Sequence, residues 1–227
     1  MSKDIFNAEI KESKDGSSTL YRADINEHYH SIHGAISESL HVFINSGYKL
    51  FSNREQLSIL EVGFGTGLNA YLTLLNKNES QALFYHAIEK YPLPIELIRK
   101  INYPDILNER EGANLFFTLH NSQWNRVVSL DNSFSLKKSE IDLINLKSDK
   151  SYNLIYFDAF APDKQPEMWS EDLFSLLFSM MSDGGVLVTY CCKGVVRRRL
   201  LSVGFYVEKI AGPHGKREML RAFKYCH

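Results

Sequence analysis

A glycine-rich run directly after an apolar run constrains this chain more than any other feature. Residues 61–69 read Glu-Val-Gly-Phe-Gly-Thr-Gly-Leu-Asn, and the apolar residues 57–60 precede them. This pattern predicts a buried strand, a turn at Gly63, Gly65 and Gly67, and then a helix. Glycines in such a turn let the backbone approach a ligand closely and leave helix N–H groups free to face it. A turn that only joins a strand to a helix remains the alternative.

The spacing of the glycines narrows the choice of ligand. A dinucleotide-binding turn needs the pattern G-x-G-x-x-G, and its third glycine would fall on Leu68. The spacing therefore disfavours an NAD-linked oxidoreductase. The pattern G-x-G-x-G, with an acid two residues before it, resembles the turn of methyltransferases that use S-adenosyl-L-methionine (SAM).

Strand-like and helix-like segments alternate along the chain. Predicted strands cover residues 58–62, 82–88, 126–130, 153–157, 186–190, 205–210 and 219–225, and predicted helices cover 68–75, 94–100, 170–181 and 194–201. Residues 134–146 form a weak amphipathic stretch, and 183–185 read as a turn. Repeated strand–helix units predict an α/β fold with a mostly parallel sheet, helices on both faces and an antiparallel strand at one edge. We expect one domain over 1–227, with 1–50 as an N-terminal extension or lid.

Composition excludes several protein classes. The sequence is 44% hydrophobic and 23% charged, which is typical of globular proteins. It contains no apolar run of the roughly 18 residues that a membrane span needs, and its N-terminus does not resemble a signal peptide. Cys191 and Cys192 are adjacent, and Cys226 cannot complete a full set of pairs. We therefore expect a cytoplasmic protein without disulfides and without membrane contact.

Charge is distributed unevenly along the chain. The net charge is −1, yet residues 193–227 contain nine lysines and arginines against two acids. A basic end on an otherwise acidic chain is expected of a nucleic-acid-binding protein. A solvated surface that only keeps the protein soluble explains the same charges equally well.

Ligands of open α/β sheets bind beyond the carboxyl ends of the strands, so residues just past each predicted strand are candidates for the site. Glu89 follows the second strand, where a carboxylate can accept both hydroxyls of a ribose. Asp158 follows residues 153–157, with Phe160 and Trp169 nearby as flat surfaces. An acid beside aromatic rings suits an amine attached to a nucleobase. An exposed loop acid at 89 and a rigid loop with a core tryptophan are the alternatives.

Four motifs in the same order resemble the MnmC-type tRNA methyltransferase domain. They are the glycine run at 61–69, Glu-Lys-Tyr-Pro-Leu at 89–93, Asp-Ala-Phe-Ala-Pro at 158–162 with Pro-Glu-Met-Trp at 166–169, and Gly-Lys-Arg-Glu-Met-Leu at 215–220. Residues 15–43 are also similar to the stand-alone form of this family. The resemblance therefore covers most of the chain.

The resemblance implies a class I SAM-dependent methyltransferase fold, SAM as cofactor and tRNA as partner. The implied reaction is N-methylation of an aminomethyl group on the wobble uridine. The implied cofactor contacts are Glu61, Gly63, Gly65, Gly67, Asn69, Glu89 and Lys90. The implied substrate contacts are Tyr29, Glu38, Phe160, Pro162, Trp169, Lys216 and Arg217. Asp158 is the implied catalytic residue, and some of Arg197, Arg198 and Arg199 would contact tRNA phosphates.

The motifs leave the supply of the precursor, the adenine contact and two alternative functions undecided. Many family members carry a second, flavin-dependent domain, so we expect a separate enzyme to supply the aminomethyl precursor. The residue that contacts adenine is not identified. His28, His30 and His33 fit no standard zinc spacing, and we expect no metal site. A methyltransferase of a small-molecule or protein amine, and a non-catalytic RNA-binding protein on this scaffold, remain alternatives.

Overall fold

The computed structural model describes residues 8–107 and 112–225. Within these ranges the strands are β1 Ala8–Glu12, β2 Ser18–Arg22, β3 Glu27–His28, β4 Gln56–Val62, β5 Ala82–Glu89, β6 Val127–Ser129, β7 Phe134–Glu140, β8 Tyr152–Phe157, β9 Met181–Thr189, β10 Tyr206–Ala211 and β11 Glu218–Phe223. The helices are α1 Ala35–Ser39, α2 Leu68–Asn76, α3 Ile95–Ile98, α4 Tyr103–Ile106, α5 Gly112–Asn121, α6 Glu171–Ser179 and α7 Gly194–Ser202. Helix α1 continues into a π-helical segment, Leu40–Asn45, and 3-10 turns cover Tyr48–Phe51, Leu143–Asn145 and Pro166–Trp169.

Eight strands form one sheet in the order β10-β11-β9-β8-β4-β5-β7-β6. The five central strands, β9, β8, β4, β5 and β7, run parallel to one another. This arrangement confirms the predicted α/β fold with a mostly parallel sheet. The antiparallel β11 lies one position inside the edge, between β9 and β10, and the antiparallel β6 forms the opposite edge. The single antiparallel edge strand of the prediction is thus replaced by two antiparallel strands, one at each side.

Both faces of the sheet are covered because the central strands are apolar on both sides. Along β4, Leu57 and Ile59 belong to a core that also contains residues of α2 and α5. Leu60 and Val62 point the other way, into a core with residues of α6 and α7. Helices on both faces were predicted from the alternation of the segments, and the two cores confirm them.

The N-terminal residues form a separate small sheet of β1, β2 and β3, all antiparallel. Asp15 organises the turn after β1, since its carboxylate accepts hydrogen bonds from Ser13, Ser17 and Ser37. His30 ties this region to the glycine turn through a 2.8 Å contact between its Nε2 and Thr66 Oγ1. The N-terminal residues therefore lie against the end of the main sheet where β4 ends.

Two local predictions were wrong. The amphipathic stretch at 134–146 is strand β7 followed by a 3-10 turn. Residues 183–185 lie within β9 and do not form a connecting turn; a register shift opposite Tyr152 and Leu154 accommodates them, with Gly184 at a φ of 73°. The predicted helix at 94–100 is shorter, at Ile95–Ile98.

No helix among the described residues is long and apolar enough to cross a membrane. Cys191 and Cys192 are free thiols. Cys226 lies outside the described residues.

Candidate functional site

A cavity of about 580 Å³ opens where the parallel strands end. The ends of β4, β5, β7 and β8 form one wall, and the N-terminal residues 27–32 form part of the opposite wall. This is the place where open α/β sheets bind ligands. The residues predicted from strand ends are thereby brought together.

The glycine turn forms the floor of this cavity beside β4. Gly63 has a φ of 89°, and a Cβ on it would lie 2.8 Å from the backbone oxygen of Asp158. Only glycine fits there without strain or collision. Gly67 caps α2 with a φ of 72°, but a Cβ on it would meet His120. Gly67 therefore shapes the turn from behind and does not line the cavity, unlike Gly63 and Gly65.

Glu89 joins the glycine turn to the end of β5. One carboxylate oxygen accepts the N–H of Gly65 at 3.0 Å, and the other accepts the N–H of Tyr91 at 2.8 Å. Burial raises the pKa of Glu89, while these backbone hydrogen bonds oppose the rise. Each carboxylate oxygen has a second lone pair, so Glu89 can still accept hydrogen bonds from a ligand in the cavity.

Lys90 and Asp142 bridge the ends of β5 and β7. The Lys90 Nζ lies 2.8 Å from Asp142 Oδ2, and both side chains line the cavity with Ile141 and Leu143. Asp142 was missed in the sequence because the strand before it was not recognised. The rule that identified Glu89 and Asp158, an acid just past a strand, would have identified Asp142 once β7 was placed.

Asp158 follows β8 and faces the cavity. Its Oδ2 accepts a 2.8 Å hydrogen bond from the side-chain amide of Asn69. Burial raises the pKa of Asp158 to about 7; the Asn69 hydrogen bond and Lys216 oppose the rise, and Glu38 adds to it. A carboxyl group with such a pKa can both accept and release a proton near neutrality.

Aromatic and charged side chains surround Asp158 on the open side. The rings of Tyr29 and Phe160 meet edge to face, with centroids 5.0 Å apart, and the Arg22 guanidinium lies 5.9 Å from the Phe160 ring. Burial raises the pKa of Tyr29, so its hydroxyl stays neutral. This end of the cavity therefore offers flat surfaces and a cation to a planar ligand.

Glu38 and Lys216 form an ion pair at the same end. Lys216 Nζ lies 2.5 Å from Glu38 Oε1 and 4.0 Å from the centre of the Tyr190 ring. The other Glu38 oxygen accepts the N–H of Ser31 at 2.9 Å. Tyr190 stands directly after β9, so the strand-end rule could have identified it, whereas no motif of the sequence singled out Arg22.

Comparisons with known proteins agree with this geometry. A family model described as S-adenosyl-L-methionine-dependent methyltransferase matches residues 118–225. The chain is therefore similar to the SAM-dependent methyltransferases. SAM is the cofactor that this family implies, and the predicted resemblance to the MnmC methyltransferase domain is confirmed.

Individual relatives differ in how much of them the chain covers. The chain is 30% identical over 212 residues to the tRNA 5-methylaminomethyl-2-thiouridine biosynthesis bifunctional protein MnmC of Actinobacillus pleuropneumoniae, covering 85% of this chain and 31% of that protein. It thus spans about a third of the length of the curated relatives it matches. The crystal structure of MNMC2 from Aquifex aeolicus matches with a TM-score of 0.78 and 27% identity, covering 98% of this chain and 72% of that one. Spermidine synthase from Thermotoga maritima matches in fold alone, with a TM-score of 0.55, 12% identity and coverage of 95% and 71%.

The residues of the cavity fit this cofactor. Glycine at position 65 lets the Tyr29 ring approach the turn closely, since a Cβ there would come within 3.1 Å of that ring. Glu89 keeps free acceptor positions for ribose hydroxyls, and the Lys90–Asp142 pair stands at the neighbouring strand end. The methyltransferase fold and its cavity are therefore compatible with SAM bound along the ends of β4, β5 and β7.

Six predicted contacts lie outside the cavity lining: Gly67 and Asn69, described above, and Glu61, Pro162, Trp169 and Arg217. Trp169 is 0% exposed and packs in the core, where its Nε1 donates to the Phe160 carbonyl at 2.8 Å. The prediction that Trp169 offers a surface to the substrate is therefore wrong, and its ring supports the loop from below. Pro162 is also buried and outside the cavity lining. Glu61 is fully buried beneath the floor. Arg217 is exposed outside the cavity, so it can contact only a substrate larger than the cavity.

The arginines of helix α7, which the sequence offers as contacts to tRNA phosphates, have different environments. The Arg199 guanidinium donates to the backbone oxygen of Trp169 at 2.9 Å, so it has a structural partner within the protein. Arg198 remains exposed on the surface of the same helix.

The histidines near the N-terminus have separate environments. Burial lowers the pKa of His30 to about 4, so its imidazole is neutral where it contacts Thr66. His33 packs against His214 with ring centroids 5.7 Å apart. The described ranges, 8–107 and 112–225, hold no group of three or more His, Cys, Asp or Glu residues placed to bind a metal ion.

Because the pKa of Asp158 is raised, the free energy of unfolding should depend on pH through this group. The folded-state pKa, about 7, exceeds the ordinary value of 3.8, so folding favours the protonated form. Stability contributed by this group is therefore present at low pH and is lost as pH rises from about 4 through about 7. At pH 8 we expect Asp158→Asn to raise the free energy of unfolding by about 1–3 kcal/mol, since the cavity admits water and softens the full effect. Chemical denaturation at pH 8 and pH 4 measures this, and an equal gain at both pH values would contradict it.

Proposed function

We propose that this protein transfers a methyl group to the aminomethyl side chain of a wobble uridine in tRNA, converting 5-aminomethyl-(2-thio)uridine into 5-methylaminomethyl-(2-thio)uridine. The observation that carries the proposal is Asp158, an acid of pKa about 7 that lines the cavity, lies against Gly63 of the glycine turn and is followed two residues later by Phe160. The names of the MnmC relatives support the nature of the acceptor.

One end of the cavity would bind the cofactor, and the other end would bind the amine that is methylated. Gly63, Gly65, Glu89 and Asp142 would hold the cofactor. SAM when bound would supply an electrophilic methyl group to an amine lone pair by in-line displacement, in which the S–CH₃ bond breaks and S-adenosylhomocysteine leaves. Near pH 7 an alkylamine carries a proton, which blocks its lone pair. The ionised Asp158 accepts that proton and becomes a neutral acid, and the amine becomes a nucleophile.

The surroundings of Asp158 favour this proton transfer. Asn69 holds one carboxylate oxygen, which leaves the other oxygen for the ammonium group. The ring of Phe160 and the Arg22 guanidinium offer a face on which a uridine base can stack. A base held in this way brings its 5-substituent into a largely enclosed space, where positioning and exclusion of water supply most of the catalysis.

A nucleic-acid substrate would also meet the charged surface outside the cavity. Arg217 and Arg198 are exposed, and they are the candidate contacts to tRNA phosphates. Phosphate contacts position a substrate without reading its sequence. We infer that the identity of the acceptor is decided within the cavity.

The proposal is tested by labelling. The purified protein is incubated with SAM carrying a radiolabelled methyl group and with bulk tRNA from a strain that lacks this protein; the tRNA is then digested and the labelled nucleoside identified. We expect the label in 5-methylaminomethyl-uridine or its 2-thio form. Bulk tRNA from the parent strain, in which the position is already methylated, is the matched control and should take up much less label.

Other outcomes discriminate among the alternatives. Label in a different tRNA nucleoside would keep the enzyme class and reject the wobble aminomethyl group as acceptor. Bound SAM without labelled RNA would favour a small-molecule or protein amine. Absence of SAM binding would favour a non-catalytic RNA-binding role.

A further inference from the structure

Glu61 is a carboxyl group in an unusual place. It lies on β4 directly before the glycine turn and is 0% exposed, and no donor meets its oxygens in full hydrogen-bonding geometry. Its side chain is flanked by the Tyr85 hydroxyl and the Asn69 amide, which act on its pKa. No lysine, arginine or histidine of the described residues forms an ion pair with it. An ionised carboxylate that is buried without a cation costs free energy, so burial favours the protonated form of Glu61.

Asn69 supplies the second observation. Its side-chain NH₂ donates to Asp158, but its Oδ1 is buried and has no donor. The Tyr85 hydroxyl is buried as well, and the acceptor within its reach is the Glu61 carboxyl. Buried polar atoms in native proteins nearly always have a hydrogen-bonding partner, so Asn69 Oδ1 and the Glu61 carboxyl, two neighbouring acceptors, need a donor between them.

One proton accounts for all three groups. An ionised Glu61 could accept from Tyr85 but has nothing to donate to Asn69 Oδ1. A protonated Glu61 donates its O–H to Asn69 Oδ1 and accepts the Tyr85 hydroxyl on its other oxygen. Asn69 is then held so that its NH₂ faces Asp158. In the flipped orientation of the amide, Asn69 Oδ1 would face the Asp158 carboxylate, and two acceptors would meet.

We propose that Glu61 is a neutral carboxylic acid in the folded protein and that it positions Asn69 for its hydrogen bond to Asp158. Glu61 is thus a positioning residue that acts through Asn69, in place of the cofactor contact implied by the sequence. The raised pKa of Glu61, caused first by burial and then by the neighbouring Asp158, agrees with this protonation state. The inference deepens the proposed function, because it concerns the group proposed to deprotonate the amine.

The charged and titratable groups around the pair come from several elements. Asp158 is influenced by Glu38 and Lys216, and Glu61 by Asp158, Tyr85 and Glu89. A neutral Glu61 leaves Asp158 as the carboxyl group of this pair that ionises near pH 7. Two ionised carboxylates so close together would disfavour each other.

Infrared difference spectroscopy tests the protonation state without any acceptor. Protein labelled with ¹³C-glutamate and its unlabelled counterpart are compared at pH 8, where a buried protonated glutamic acid gives an isotope-shifted C=O band that also moves in D₂O. The band should be absent from Glu61→Gln. Its absence from the wild-type protein at pH 8 would overturn the inference, whatever the protein's substrate proves to be.

Variants test the path through Asn69, with the Asp158 carboxyl band as the readout of its titration. Glu61→Gln can still donate to Asn69, so we expect the wild-type midpoint near pH 7. Glu61→Leu cannot donate, so the Asn69 hydrogen bond weakens and the midpoint rises by on the order of one pH unit. Tyr85→Phe removes a hydroxyl from the same region without touching the donor to Asn69, and it is the matched control with an unchanged midpoint.

The sign of the shift separates the two models. If Glu61 were ionised, both Glu61→Gln and Glu61→Leu would remove a negative charge and lower the Asp158 midpoint. That result would overturn the inference. If Glu61→Leu fails to fold, the ¹³C band of the wild-type protein and the midpoint of Glu61→Gln still decide between the models. SAM affinity, measured by calorimetry, should change less than about threefold in Glu61→Gln; a loss of tenfold or more would assign Glu61 to the cofactor instead.

Discussion

Replacing Asp158 with asparagine is expected to lower kcat by about 10²–10⁴-fold, the usual contribution of a positioned general base. Asparagine has nearly the same shape and can still contact Asn69, but it cannot accept a proton from an ammonium group. Gly65 and Glu89, the residues proposed to bind the cofactor, keep their own hydrogen bond in this variant. We therefore expect the Kd for SAM to stay within about threefold of the wild-type value, which is less than 1 kcal/mol of binding free energy.

The dependence of this loss on pH identifies its cause. In the wild-type protein kcat should fall as pH drops through about 7, because Asp158 is protonated there and cannot act as a base. In Asp158→Asn this inflection should disappear, and the remaining rate should climb toward alkaline pH as the free amine becomes available in solution. Single-turnover rates across pH 5.5 to pH 9.5, with saturating SAM, measure both curves.

Asp163→Asn is the matched control for this experiment. Asp163 lies in the same loop, is exposed, and pairs with Lys193 at the surface. The same substitution there should leave kcat and its pH profile unchanged. If Asp158→Asn retained the wild-type rate at pH 7, Asp158 would not be the base and the proposed mechanism would fail.

Much of this site could be predicted because α/β sheets place their ligands by a simple rule. Glu89 and Asp158 stand directly after apolar strands, and the parallel register brings both to the same edge as the glycine turn. The apolar runs of β4, β5 and β8 are long enough to be recognised without knowledge of tertiary structure. Placing these three elements was sufficient to locate the cavity and the end of it proposed for the cofactor.

Strand β7 was not recognised because its sequence breaks the usual rule for buried strands. Lys138 is 1% exposed in this strand, and its Nζ donates to the His120 carbonyl at 2.7 Å while lying 4.7 Å from the centre of the Trp124 ring. Lysines are mostly exposed in proteins, so the sequence predicts a surface position for Lys138. In the structure an indole ring and a carbonyl hold this lysine in the interior. The consequence was that Asp142, at the end of this strand, was overlooked.

The sequence also does not predict which aromatic ring of the Asp158 loop faces the cavity. Phe160 and Trp169 both follow the same strand and are similar in chemistry, yet Phe160 lines the cavity and Trp169 is buried beneath it. Which ring faces inward depends on how the loop packs on α7 and on the core. Arg22 completes the site from a distant segment, so only the tertiary structure could place it there.

Replacing Gly63 with alanine is the second change for which we expect a large effect. Its φ of 89° lies in the left-handed region, and the new Cβ would come within 2.8 Å of the Asp158 backbone oxygen. A backbone atom of a central strand end cannot move aside cheaply, so β4 and β8 must separate or the turn must shift. Either movement displaces the Gly65 N–H from Glu89 and alters the floor under the cofactor. We expect the Kd for SAM to rise by about 10–100-fold, which corresponds to about 1.4–2.8 kcal/mol.

Gly184→Ala separates this collision from the backbone strain that alanine suffers at any positive φ. Gly184 has a φ of 73°, is exposed, and a Cβ on it would meet nothing within 4 Å. Both variants should lose about 1–2 kcal/mol of folding free energy from the left-handed conformation, but only Gly63→Ala should also lose SAM affinity. Isothermal titration with SAM and chemical denaturation of both variants measure the two effects. If Gly63→Ala bound SAM as tightly as the wild-type protein and Gly184→Ala did, the glycine turn would not be the floor of the cofactor site, and the cofactor would have to be placed along β5 and β7 alone.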